Sequence, residues 1–134
     1  EYDAFVDGSL QLDGVVSPDP VLRSIIASMA GRKWIFTNSS ITHASRTLKH
    51  LQLDDLFEGI VYCDYCEPDF PAKPDRLSYE RAMQSAGISG RPDLCYFVDD
   101  NVNNVRAALE LGWKAAYLDE LHDALPEIVT SNQS

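Results

Sequence analysis

The sequence predicts an α/β domain: a parallel sheet with helices on both faces. Three observations predict it. Short apolar runs alternate with segments whose apolar residues recur at helical spacing, and the connections are short. Three polar groups open off the ends of apolar runs or in the loops after them, where α/β sheets bind ligands. The chain has 134 residues, 45% hydrophobic and 24% charged, which suits one folded domain and not a disordered segment.

Residues 1–17 are acidic and contain glycine, with weak periodicity. They read as a loop or a connector. Ser17-Pro18-Asp19-Pro20 punctuates the chain and starts a helix in which Val21, Leu22, Ile25, Ile26 and Met29 fall at helical spacing. Gly31 stops it. Residues 33–36 form a short apolar strand. Ser40 or Thr42 caps a helix through Leu51, with Ala44, Leu48 and Leu51 on one face. A strand at 60–63 and a polar, proline-rich loop at 64–74 follow. Residues 76–86 read as a helix ended by Gly87, and 94–98 as the most buried strand. Residues 101–111 read as a helix with apolar Val102, Val105, Ala108 and Leu109, closed by Gly112. A strand at 114–118, a helix at 121–129 and a polar tail at 130–134 complete the pattern.

Composition excludes several classes. A net charge of −10, from 21 acidic and 11 basic residues, is wrong for a surface that neutralises a nucleic-acid polymer. It allows a small phosphorylated ligand, because a lysine, backbone amides and a metal offset local repulsion. No apolar stretch approaches the roughly 18 residues of a membrane span. The first residues lack the basic and apolar regions of a secretory signal. Three cysteines are too few for a disulfide framework, so a cytosolic compartment, or a nuclear one, is expected. Cys63 and Cys66 lack the further pair that a structural zinc site needs, and read as ordinary thiols. Trp34 and Trp113 read as packing residues.

The polar groups carry the chemistry. Asp99-Asp100 ends the run Leu94-Cys95-Tyr96-Phe97-Val98. Two carboxylates there can reach a hard cation such as Mg2+; equally, Asp99 could cap the next helix and Asp100 be solvated. Thr37-Asn38 ends the run Lys33-Trp34-Ile35-Phe36. A hydroxyl and amides at a helix start suit an anion, or a simple cap and turn. Lys73, before Pro74, is either an electrostatic stabiliser or a surface lysine. His43 lies within reach of the anion site through its helix, whereas His50 and His122 are scattered.

In this order and at these strand ends, the three groups resemble those of the haloacid dehalogenase-like hydrolases over about residues 18–118. Thr37-Asn38 matches that family's second motif, Lys73 its third and Asp99-Asp100 its fourth. Phe36-Thr37-Asn38 with His43, Tyr62-Cys63-Asp64-Tyr65, Ala72-Lys73-Pro74 and Phe97-Val98-Asp99-Asp100-Asn101 resemble the pyrimidine 5'-nucleotidase branch. The resemblance implies a Rossmann-like core and a Mg2+-dependent hydrolase of phosphate monoesters, with nucleoside 5'-monophosphates as substrates. It implies that Asp99 and Asp100 hold the metal and that Thr37, Asn38 and Lys73 hold phosphate oxygens, with His43 at the substrate. A nucleophilic aspartate forms an aspartyl-phosphate, and a second aspartate two residues on protonates the leaving group. A receiver domain also carries an acidic pair, but near its first strand rather than late in the chain.

The nucleophile is the point of departure. Asp3, Asp7, Asp13 and Asp19 are the upstream candidates, and none has an aspartate two residues on. Asp7-Gly8-Ser9 is the nearest imitation, rejected because the residues before it do not read as an apolar strand. The expectation is therefore a core at 18–129 without its central N-terminal strand, preceded by a cap remnant at 1–17 and followed by a flexible tail at 130–134. Such a chain would be a C-terminal part of a larger protein, inactive alone. Its unpaired inner strand edges would invite a rearranged sheet or self-association. The alternative is a non-catalytic phosphate- or nucleotide-binding or regulatory protein on the same scaffold.

Overall fold

The computed structural model describes residues 2–7, 20–29 and 31–117. Five strands, Asp3–Val6 (β1), Lys33–Phe36 (β2), Gly59–Val61 (β3), Cys95–Asp99 (β4) and Lys114–Tyr117 (β5), form one sheet in the order β3-β2-β1-β4-β5. Every pairing is parallel. The helices are Pro20–Ser28 (α1), Ile41–His50 (α2), Arg76–Ser85 (α3) and Val102–Glu110 (α4). The expected helix at 121–129 and the tail at 130–134 lie outside the described residues.

One expectation is overturned. The middle of the sheet is filled, by β1, which pairs with β2 through Ala4, Phe5 and Val6 and with β4 through all four of its residues. Residues 3–6 are thus a core strand and no cap remnant, whereas 8–19 lie outside the described residues. The inner edges of β2 and β4 are both paired, so the reason for expecting association through them is gone.

Why so short and acidic a segment forms the central strand follows from its partners. Ala4, Phe5 and Val6 are 0–2% exposed. A strand buried on both faces reads as a continuous apolar run, not as alternation. Asp3, at its start, is buried too, but Arg32 Nε lies 2.7 Å from its Oδ1 and Trp34 Nε1 donates to the same oxygen at 3.0 Å. A buried carboxylate is tolerated when it is paired and hydrogen-bonded in this way.

The pleat sends alternate residues to opposite layers. Phe5, Phe36, Val61 and Phe97 meet Tyr79 and Ala82 of α3, Ala108 of α4, and Trp113. On the other face Ala4, Val6, Ile35 and Val98 meet Met29, Ile26 of α1 and Leu48 of α2. Three of the helices, α2, α3 and α4, start on side-chain caps. Ser40 accepts from His43 N, Asp75 from Leu77 N, and Asn101 from the amides of Asn103 and Asn104. Gly87 and Gly112, just past α3 and α4, have φ of 74° and 91°, left-handed values that glycine adopts without strain. The sequence therefore places each strand end, and the loop after it, on one edge of the sheet.

Candidate active site

At that edge four loops converge. β1 delivers Asp7, whose amide donates to Val98 O at 2.9 Å. β2 delivers Thr37 and Asn38, the loop after β3 delivers Lys73, and β4 delivers Asp99 and Asp100. All of these, with His43, line one cleft of about 580 Å³. The six residues singled out in the sequence are therefore brought together. Asp7, Ser39, Ser40, Tyr65, Asn101 and Asn104 line the same cleft and had been given no role there.

Lys73 is the hub. Its Nζ donates to Asp7 Oδ1 at 3.1 Å, to Asp99 Oδ2 at 3.1 Å and to Phe36 O at 2.7 Å. An ammonium has three protons, and three acceptors take them. Beneath it lie the rings of Phe36 and Phe97, with centroids 4.8 and 5.2 Å from Nζ. The side chain is 1% exposed, so the reading of Lys73 as a surface lysine is wrong.

Asp99 is fully buried and fully engaged. Its Oδ1 accepts from Asn101 N at 2.9 Å, and its Oδ2 also accepts from Asn104 Nδ2 at 3.0 Å. The cap of α4 is Asn101, not Asp99. Burial pushes the Asp99 carboxyl up. The Lys73 ammonium and the bonds from Asn101 and Asn104 outweigh it and hold the group below the usual carboxylate range. Asp100, exposed beside it, is raised by partial burial, by its contact with Asp99 and by the charges of Asp7 and Asp99.

Asn38 ties two loops together. Its Oδ1 accepts from Lys73 N at 2.8 Å and its Nδ2 donates to Lys73 O at 3.1 Å. Thr37 Oγ1 accepts from Ser39 N at 3.0 Å and shares a hydrogen with Ser39 Oγ at 2.7 Å. Tyr65, in the loop after β3, donates its hydroxyl to Asn38 O. Of the remaining expectations, His50 is exposed at the end of α2, and His122 lies outside the described residues. All three cysteines are free thiols; Cys63 and Cys95 are buried and Cys66 exposed.

The donor set fits a hard cation. Carboxylate oxygens of Asp7, Asp99 and Asp100 lie within 4.8 Å of one another. Oxygen-only ligands of this kind suit Mg2+, which otherwise keeps waters and phosphate oxygens. One ammonium against three carboxylates leaves excess negative charge, which would repel a phosphate dianion. A divalent cation among the carboxylates removes that excess, so the same residues could then receive an anion.

Asp7 is the residue that sequence reasoning rejected. Ala4-Phe5-Val6-Asp7 repeats, in short form, the pattern by which Phe97-Val98-Asp99 ends its strand: apolar residues, then a carboxylate. That likeness was the available signal. Its weakness was length, since Asp3 cuts the apolar run to three residues.

Comparison with known proteins agrees with this geometry. The family profile of haloacid dehalogenase-like hydrolases matches residues 5–112. Phosphate metabolism protein 8 of Saccharomyces cerevisiae is 39% identical over 122 residues, covering 84% of this chain; the chain spans 38% of that protein's length. Among solved structures, an uncharacterised protein from Corynebacterium glutamicum superimposes with a TM-score of 0.70 at 22% identity, over 98% of this chain and 94% of that one. L-2-haloacid dehalogenase from Xanthobacter autotrophicus does so with a TM-score of 0.66 at 23% identity, over 86% of this chain and 46% of the other. With its profile matched over most of its length, its five-stranded parallel sheet and its strand-end aspartates, the chain belongs to the haloacid dehalogenase-like hydrolase family.

Proposed function

We propose that the chain carries the catalytic core of a Mg2+-dependent phosphate monoester hydrolase acting on nucleoside 5'-monophosphates, and that Asp7 is its nucleophile. The observation that carries this is the single ammonium of Lys73 held 3.1 Å from both Asp7 and Asp99 at the end of the central strands. A buried cation there stabilises negative charge gathering on a transferring phosphoryl group. An Asp7 oxygen attacks phosphorus, the bond to the ester oxygen breaks, and an aspartyl-phosphate remains for water to cleave. Thr37 and Asn38 orient the phosphoryl oxygens, Lys73 lends its positive charge from beneath Asp7 and Asp99, and His43 lines the same cleft. When bound, Mg2+ neutralises phosphoryl charge beside Asp7, Asp99 and Asp100.

The leaving oxygen must gain a proton. Two residues after Asp7 the chain has Ser9, not the second aspartate that the family resemblance implies. A serine is a poor acid, so turnover is slow with alkyl esters and faster where the leaving group needs no proton, as with 4-nitrophenol. The same substitution supports a second reading, in which the scaffold binds nucleotides and does not turn them over. Three free thiols support a reducing compartment, cytosolic or nuclear. Among the described residues no helix is long and apolar enough to cross a membrane.

The test is phosphate release from uridine and cytidine 5'-monophosphates and from 4-nitrophenyl phosphate, with and without Mg2+. The expected result is Mg2+-dependent release that falls at least about 100-fold in both Asp7→Asn and Asp99→Asn. Release that survives Asp7→Asn removes Asp7 as nucleophile. Mg2+-dependent nucleotide binding with no release from any ester supports the second reading.

A further inference from the structure

Among the described residues the aromatic side chains are buried or half-buried, with one exception. Phe5, Phe36, Tyr79 and Phe97 are 0–2% exposed, whereas Tyr65 is 70% exposed, the one exposed aromatic side chain among the described residues. It is not on a random stretch of surface. It lines the cleft that holds Asp7, Lys73 and Asp99, on the same wall system as His43. Nor is it a loose side chain, because its hydroxyl donates to Asn38 O in the loop that follows β2. Among the described residues no ring or cation packs on its face. A planar apolar surface, 70% exposed, is thus held at the edge of a polar cleft with its tip fixed.

We infer that Tyr65 is a specificity residue: its ring is a platform on which the planar base of a nucleoside monophosphate stacks while the phosphate lies against Lys73 and Thr37. This rests on the phosphatase reading of the same site and deepens it. It makes the choice of substrate a property of the core itself, through the loop after β3. Stacking on an aromatic ring tolerates any base, since each has a π-face, so the selection is for aromatic over aliphatic leaving groups and not for one base. The tether matters because a ring already fixed in place loses little conformational freedom when the base arrives. The charge on the cleft floor is common to every phosphate ester and cannot make this distinction.

The experiment compares uridine 5'-monophosphate with glycerol 2-phosphate, in the presence of Mg2+, for the unmodified chain and for Tyr65→Leu and Tyr65→Phe. Leucine keeps an apolar side chain and removes the ring; phenylalanine keeps the ring and removes the tether. The ratio of kcat/KM for the nucleotide to that for glycerol 2-phosphate is expected to fall roughly tenfold in Tyr65→Leu, mostly through KM, and to stay within about threefold in Tyr65→Phe. An equal fall for both esters makes Tyr65 a support for the Asn38 loop and overturns the inference. So does an unchanged ratio in Tyr65→Leu. If no ester is hydrolysed, the phosphatase reading fails by itself, and calorimetric binding of uridine 5'-monophosphate decides the platform. Binding weakened roughly tenfold by Tyr65→Leu supports it, and binding unchanged by that substitution, or absent from the unmodified chain, overturns it.

Discussion

Replacing Lys73 with methionine isolates the electrostatics at the centre of the fold. Methionine preserves the length and most of the volume of the lysine stem, so the cavity cost is small. What is lost is the ammonium, which is 1% exposed and bonded to Asp99, also 1% exposed, and to Asp7, 7% exposed. Deleting one partner of a buried ion pair costs about 3–5 kcal/mol, because the charges left behind have neither water nor a counter-ion. That is a large fraction of the roughly 5–15 kcal/mol that holds a domain together. The loss has a pH signature. In the unmodified chain Asp99 titrates below the usual range, so its contribution is present above the ordinary carboxylate range and is lost as pH falls through the depressed value. In Lys73→Met the ammonium's lowering influence is gone while burial stays the largest, so Asp99 titrates higher than in the unmodified chain. Protonation in mild acid then relieves the variant, and the gap between the two proteins narrows. Urea unfolding with EDTA at about pH 7.5 and about pH 5 measures both effects. A gap under about 1 kcal/mol at the higher pH, or an equal gap at both, would refute the reasoning.

Two further predictions concern the fold. Phe5→Ala should lose about 3–5 kcal/mol in the same unfolding assay, because the ring is fully buried against Phe36 and Trp113; a loss under about 1 kcal/mol would remove residues 3–6 from the core. The thiols should react in two classes when followed by mass spectrometry with iodoacetamide. Cys66 is exposed and labels first, whereas burial pushes the Cys63 thiol up and that of Cys95 up to about 12, starving both of thiolate. Rapid labelling of Cys95 in the absence of denaturant would contradict its place in β4.

Much of this architecture is legible in the sequence because its signals are local. The strand at 33–36 is observed with those bounds, that at 94–98 one residue on at Cys95–Asp99, and that at 60–63 as Gly59–Val61, starting one residue and ending two residues earlier. Apolar run and following turn residue are neighbours in the chain, so pattern is enough. Thr37, Asn38, Lys73, Asp99 and Asp100 were found for the same reason: each sits where an apolar run or a loop ends. β1 failed that test because what stabilises it is distant. The carboxylate of Asp3 makes the segment read as a loop until Trp34, 31 residues on, and Arg32 are seen to hold it. Missing the strand meant missing Asp7, and with it the pairing of both inner edges. The burial of Lys73 was equally illegible, since its acceptors come from three separate strands or strand ends.

The aromatic layer beneath Lys73 has a consequence for how such a protein can change. Phe36 and Phe97 lie under the ammonium, and the same two rings pack on Tyr79 at 5.4 and 5.8 Å and on Trp113 at 6.3 and 6.1 Å. The upholstery of the interior and the seat of the cation are one set of atoms. A leucine at position 36 would fill much of the space and take away the ring's negative face, so a repacking neutral for the fold would still move the charge balance of the cleft. Conversely, any loosening of this layer reaches the lysine directly, because the same two rings lie under it. Drift in this layer is therefore screened twice, once for cohesion and once for chemistry, while the exposed helical residues such as Leu77 and Leu109 are screened for neither.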